Sequence, residues 1–302
     1  MQNTKIVIMG NGKIGEAILH LLNQASATKH DKCLIDIYDN DPLKNKSGKT
    51  LKDCTTNANF VFLCLPSWHT GQALLEIKPF LKKNTIIISV AKGLEAISKN
   101  SIDELIEKNL KKQKYALLSG PMFAEEIINN EKSFAVLAST DKNVFAEISK
   151  LFVSSNLKLE YSKKVHSVAM AGVLKNVYTL IVSIIETIEK SKNVKGYISA
   201  EAINEMLQIS KILKLDKKII LGVSGLADFV ATSSCEYSQN KKTGVEICTA
   251  GVASTKSEGL ISLPSLLLLL GKKSKKLPLL SLAENILIKK EDAKKETEKF
   301  FE

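Results

Sequence analysis

A short apolar run, Lys5 to Met9, gives way to Gly10-Asn11-Gly12-Lys13-Ile14-Gly15, after which Ile14, Ala17, Ile18, Leu21 and Leu22 recur at helical spacing. A strand that becomes a helix across so few residues leaves little choice of local fold. Gly10 makes the tight turn, Gly12 lets backbone approach a pyrophosphate, and Gly15 lets the helix pack on the strand. The N–H groups at the start of that helix then face the phosphates. Gly10, Asn11, Gly12, Lys13, Ile14 and Gly15 therefore form a candidate dinucleotide-binding loop. A second apolar run, residues 33–38, ends in Asp39, 24 positions beyond Gly15. That is close to the spacing of about 20 residues at which an acidic side chain meets the ribose hydroxyls. A carboxylate there favours NAD and repels a 2′-phosphate, while Lys44 and Lys46 nearby keep NADP open as a cofactor. The alternative use of Asp39 is to begin the polar loop Asp39-Asn40-Asp41-Pro42.

Further strand-like runs at residues 60–65, 85–90, 115–119 and 134–138 are separated mostly by helical patterns such as 70–82. Ser101 and Glu104 have capping-box spacing ahead of Leu105 and Ile106. Alternating β and α elements predict a mainly parallel, doubly wound Rossmann sheet. From about residue 165 the pattern turns to long helical stretches, 165–191 and 199–213 among them, and no strand series resumes. The expected architecture is α/β: an NAD-binding Rossmann domain over residues 1–163, followed by an all-α substrate and catalytic domain over 164–302. A chain of 302 residues suits two such cores.

The net charge of +11 is compatible with nucleic acid, an anionic membrane or anionic small molecules, but lysine is spread along the chain and reads mostly as solvated surface, and the 6% of aromatic residues do not interleave with basic runs. That argues against nucleic acid and remains compatible with a small phosphorylated metabolite. Five cysteines and four histidines make neither a CxxC pair nor a metal-ligand spacing, so no metal and a reducing, cytoplasmic location are expected. No signal-peptide pattern precedes the first strand. Residues 260–270, interrupted by Pro264, fall short of the ~20 needed to cross a bilayer and read as a buried helix, so no stable membrane insertion is expected.

Four further segments follow in order: Ala91-Lys92-Gly93-Leu94-Glu95, Ser119-Gly120-Pro121-Met122-Phe123-Ala124-Glu125-Glu126, Leu174-Lys175-Asn176-Val177, and Gly225-Leu226-Ala227-Asp228 running on to Ser238-Gln239-Asn240-Lys241. Together with Asn193-Val194-Lys195, Glu205-Met206 and Glu258-Gly259, they make the chain resemble the NAD(P)-dependent glycerol-3-phosphate dehydrogenase family. The resemblance implies reversible reduction of dihydroxyacetone phosphate to sn-glycerol 3-phosphate, feeding glycerophospholipid synthesis, and is compatible with a homodimer. It makes Lys175 the general acid, and the base in reverse. Lys92 contacts substrate and cofactor, Asn176 orients polar groups, and Asp228 bonds to Lys175 or to the substrate hydroxyls. It adds Pro66, Ala124, Gln239 and Glu258 to the cofactor contacts, and Gly120, Ser238 and Asn240 to the substrate contacts. A lysine ordinarily titrates near ~10.4, so burial or a second cation such as Lys92 must lower Lys175, with Asp228 opposing.

The chain also departs from the family pattern. Met122 stands where the family has Ser, and Gln239 where it has the Arg expected to hold phosphate, a charge-assisted bond worth ~1.5–3 kcal/mol. Lys241 or Lys242 is a candidate replacement for that charge. Ala227 replaces Gly, Phe229 replaces Leu, Glu201 replaces Arg, and the segment 39–59 is short. These departures motivate two other readings: a dinucleotide-binding protein with an impaired substrate site, and a related reductase of small 2-oxo or hydroxy acids. His69 is assigned to a loop Pro66-Ser67-Trp68-His69 near the cofactor edge, His166 to a satisfied polar position, and Glu125 and Glu126 to a helix start.

Overall fold

Among the described residues, seven strands run through the first part of the chain in the spatial order β2-β1-β3-β4-β5-β6-β7. They are β1 Lys5–Met9, β2 Leu34–Tyr38, β3 Phe60–Leu63, β4 Ile86–Ser89, β5 Lys114–Ser119, β6 Ser133–Ala138 and β7 Leu157–Ser162. All neighbours pair in parallel except β5 with β6. The central strands β3 and β4 are buried along their whole length, which is why their sequences FVFL and IIIS read as unbroken apolar runs. Between strands lie α1 Lys13–Ser26, α2 Leu51–Thr55, α3 Ser67–Ile77, α4 Ile102–Asn109, α5 Ala124–Ile128 and α6 Lys142–Leu151. Ile18, Leu21 and Leu22 of α1 close over Ile6, Ile8, Phe62 and Ile88 of the sheet. The computed structural model describes residues 4–26 and 33–302.

Two features differ from the sequence expectation. β7 is an additional strand: at the sheet edge its burial alternates, so LKLEYS carries no apolar run. His69 lies not in a loop but in the first turn of α3, where Pro66 occupies the N-cap position. The expected capping box at Ser101 and Glu104 is present, with Ser101 N–H donating to Glu104 Oε2 at 2.8 Å.

The second half is helical: α7 Val165–Ile188, α8 Lys192–Ile212, α9 Lys217–Ile220, a π turn Val223–Ala227, α10 Asp228–Ser234, α11 Gln239–Ala250, α12 Glu258–Leu270, α13 Pro278–Ala283 and α14 Ala293–Phe301. A second π turn, Glu284–Ile288, follows α13. α7 is long and apolar enough to cross a membrane, and its apolar window is wholly buried. Leu174, Tyr178, Ile181 and Ile185 on α7 pack with Met206, Phe229, Leu263 and Leu280. The 260–270 segment lies within α12 but is buried on one face only. Leu263, Leu266 and Leu270 face inward, while Leu268 and Leu269 are exposed.

The chain divides into two compact units, Met1–Ala91 with Asn100–Ala169, and Lys92–Lys99 with Met170–Glu302. A single cut at 163/164 was expected; the second unit instead begins at Met170 and also takes in an excursion from the first half. The excursion is tied down by Leu94 N–H donating to Ser262 Oγ of α12 at 2.9 Å. Lys92 is thereby placed in the same unit as Lys175.

Candidate active site

In the first unit, β1 ends where the chain must reverse. Gly10 sits at φ +96°, and its N–H donates to the Tyr38 carbonyl at 2.9 Å. A Cβ on Gly10 would strike the Cys64 carbonyl oxygen, and one on Gly15 would strike the Gly10 carbonyl oxygen. Both positions are therefore closed to side chains, whereas Gly12 is open and exposed, leaving backbone bare for a phosphate. Lys13 forms an ion pair with Glu125 at 2.5 Å, and Ile14 packs against the sheet core. These residues fit a dinucleotide pyrophosphate. Replacing Gly15 with alanine is expected to weaken NADH binding at least about tenfold, because the α1 start must move off β1. Cofactor-fluorescence titration checks this, and an unchanged affinity would dissociate the loop from binding.

Asp39 is held on both oxygens. Oδ2 accepts from Asn11 N–H at 2.7 Å and Oδ1 from Asp41 N–H at 2.9 Å. The Asn11 side-chain amide donates to the Lys44 carbonyl at 2.7 Å, so the loop after β2 is laced to the glycine turn. Asp39 opens the polar loop and lines a pocket together with Gly10, Tyr38, Leu65 and residues of α3. Gly120 is buried just beyond β5, and Ala124 opens α5. Met122 packs against the sheet core. His166 pairs with Asp103 at 2.9 Å, which raises its pKa, so it is a satisfied polar residue as expected.

In the second unit, Asp228 is shared by two lysines. Its Oδ2 lies 2.7 Å from Lys92 Nζ and its Oδ1 3.2 Å from Lys175 Nζ. Lys175 also donates to Thr232 Oγ1 at 2.9 Å, and Thr232 in turn donates to the Asp228 carbonyl at 2.6 Å. An ammonium has three N–H donors, so one remains for a substrate oxygen. The π turn that precedes Asp228 is packed so tightly that a Cβ on Gly225 would strike the Ile220 carbonyl oxygen. That packing sets where α10 begins, and with it the carboxylate.

Burial dominates the electrostatics of Lys175, lowering its pKa from 10.5 to about 8. Asp228 and Glu258 oppose the shift and Lys92 adds to it. The competition left open by the sequence is therefore decided by desolvation.

A chain of amides supports this group. Asn176 Nδ2 donates to the Lys92 carbonyl at 2.7 Å, Asn240 Nδ2 to Asn176 Oδ1 at 2.9 Å, and Gly259 N–H to Asn240 Oδ1 at 2.9 Å. Gly259 has to be glycine, since a Cβ would collide with the Asn176 carbonyl oxygen. Lys92, Asn176 and Asn240 are thus brought together with Lys175 and Asp228, and Glu258 immediately precedes Gly259 of the same network. Ser238 caps α11 through its Oγ, which accepts from Lys241 N–H at 3.3 Å, while Gln239 is exposed in the first turn. Sequence reasoning passed over Thr232 and Ser262. Thr232 had a usable signal, since it lies one helical turn beyond Asp228; a serine inside a leucine run gave none.

Residues 5–145 match the family described as NAD-dependent glycerol-3-phosphate dehydrogenase N-terminus, and residues 164–298 match its C-terminus. A glycerol-3-phosphate dehydrogenase of Clostridium botulinum is 27% identical over 260 residues, 81% of this chain and 78% of that protein. One from Clostridium tetani is 28% identical over 206 residues, 68% of this chain and 59% of that protein. The crystal structure of glycerol-3-phosphate dehydrogenase from Coxiella burnetii superposes with a TM-score of 0.87 at 19% identity, covering 99% of each chain. The last shows the shared fold. With the N-terminal and C-terminal family descriptions matched in order along nearly the whole sequence, the chain belongs to the NAD-dependent glycerol-3-phosphate dehydrogenase family.

Proposed function

We propose that this chain catalyses the reversible reduction of dihydroxyacetone phosphate to sn-glycerol 3-phosphate with NAD(P)H, the step that supplies glycerophospholipid synthesis. The observation that carries the reading is the group made by buried Lys175 and Asp228 with partly buried Lys92, with Lys175 lowered to about 8. When bound, NAD(P)H would supply the hydride that reduces the ketone carbon. Charge then develops on the carbonyl oxygen, and Lys175 delivers a proton to it through its remaining N–H. Asp228 and Thr232 fix the ammonium, and Lys92 adds positive charge. In the oxidative direction neutral Lys175 takes the hydroxyl proton. Ser238, Asn240 and Gly120 are the proposed substrate contacts, with Lys241 supplying the cation that Gln239 lacks. Gly10 to Gly15, Asp39, Pro66, Ala124, Gln239 and Glu258 are the proposed cofactor contacts.

A cytoplasmic location accords with five free cysteines among the described residues. A homodimer is the assembly we favour, on the exposed Leu268 and Leu269 of α12. Following loss of reduced-cofactor absorbance with dihydroxyacetone phosphate tests the activity. No substrate-dependent oxidation with either NADH or NADPH would remove it.

The titration of Lys175 sets the pH profile. Reduction needs the protonated amine, so kcat/KM for reduction is expected to fall as pH rises through about 8, and kcat/KM for oxidation to rise across the same window. An unburied lysine would place both changes near ~10.4. A reduction profile that stays level to that higher value would exclude Lys175 as the acid.

A further inference from the structure

The pocket beside Gly10 carries a second carboxylate that lies in none of the sequence motifs. Tyr38 and Asp39 line it from the end of β2, and His69, Gln72 and Glu76 from α3. Gln72 and Glu76 lie one helical turn apart, with Gln72 Nε2 donating to Glu76 Oε1 at 2.9 Å. Both carboxylates act on the Tyr38 phenol, whose pKa is raised by burial first and then by Glu76, Cys54 and Asp39. Among the described residues lining this pocket, none is Lys or Arg. The three lysines of the following loop are already engaged, Lys44 with Asp41 at 3.8 Å, Lys46 with Glu16 at 3.2 Å and Lys49 with Asp36 at 2.6 Å.

This end of a doubly wound sheet is where the adenosine half of a dinucleotide sits. Each Asp39 oxygen accepts one backbone N–H and retains lone-pair capacity for a ribose hydroxyl. A 2′-phosphate would instead bring about −1.5 to −2 charges.

We propose that Glu76 determines cofactor specificity: with Asp39 it makes a two-carboxylate seat that takes the adenosine ribose of NAD(H) and turns away the 2′-phosphate of NADP(H). The proposal rests on the reading of the chain as a nicotinamide-dependent dehydrogenase and commits it to one of the two cofactors. The mechanism is field repulsion. In a water-like dielectric, a carboxylate about 6 Å from a phosphate weakens binding about tenfold, and Glu76 acts in addition to Asp39.

The test is direct binding of NADH and of NADPH, followed by nicotinamide fluorescence without substrate. The wild type is expected to bind NADH at least about 100-fold more tightly than NADPH, the effect of two such carboxylates. Glu76→Gln is expected to narrow that ratio about tenfold, and Glu76→Lys about 100-fold, mainly by tightening NADPH. A ratio unchanged in both variants, or a wild type that binds the two cofactors equally, would overturn the proposal while leaving the dehydrogenase reading intact. Selective NADH binding that responds to Glu76, without ketone reduction, would support the proposal and remove the activity instead. A wild type that binds neither cofactor would overturn both.

Discussion

Substituting methionine for Lys175 is expected to lower kcat for ketone reduction by about 10³-fold while changing NADH affinity less than about twofold. Methionine keeps most of the buried stem and removes the donor. Asp228 retains Lys92 at 2.7 Å, so no carboxylate is stranded. The loop proposed to hold the cofactor belongs to the other unit, which is why binding and turnover should separate. The substitution should also change how stability depends on pH. The unfolded chain releases this proton near ~10.4 and the folded chain at about 8. Below pH 8 both states are protonated and the folded state bears the full cost of burying the ammonium. Between the two values the folded state is neutral while the unfolded state is still charged, so wild-type stability gains on the order of 3 kcal/mol at most as pH rises. Lys175→Met should lose that gain. Activity retained above about a tenth of wild type would move the acid elsewhere, since loss of a positioned acid costs at least ~10².

What the sequence disclosed divides by the range of the interactions involved. The glycine loop was legible because its constraints are local: positive φ at Gly10 and contact between Gly15 and the Gly10 carbonyl act within a few residues. The interior strands were legible because burial on both faces demands continuous apolar runs. β7 was hidden because an edge strand needs apolar residues on one side only. The start of α3 was misread because Pro66 at an N-cap resembles loop chemistry. Lys175, Lys92 and Asp228 stood out only through resemblance, since nothing local distinguishes a buried lysine in a lysine-rich chain. Their meeting depends on the excursion 92–99 joining the helical unit, and that is decided by Ser262 and Asn176, residues distant in sequence.

Glu205 shows the same long-range logic and yields the largest expected effect on stability. It is 1% exposed on α8 and accepts three hydrogen bonds. Leu279 N–H donates to Oε1 at 2.6 Å, and Leu280 N–H and the Tyr178 hydroxyl donate to Oε2 at 3.1 and 2.8 Å. The two N–H groups belong to the first turn of α13, where Pro278 has none to offer, so the carboxylate caps one helix from another. Tyr178 lies one turn beyond Lys175 on α7. Glu205→Leu strands all three donors in the core, and at ~1–3 kcal/mol per unsatisfied group, offset by removal of a costly buried charge, a net loss of about 3 kcal/mol is expected. The sign of the pH dependence separates this from generic core damage. Burial raises Glu205 to about 7, from an ordinary 4.5, despite its hydrogen bonds. The folded state therefore holds the proton more tightly, and the associated stability is full below pH 4.5 and lost as pH rises through 7. Glu205→Gln mimics the neutral acid, so its stability relative to wild type should improve from pH 5 to pH 8, by up to about 3 kcal/mol. Thermal unfolding of both variants at the two pH values measures this. A constant Gln-to-wild-type difference would mean that Glu205 is ionised throughout and that its three hydrogen bonds outweigh burial.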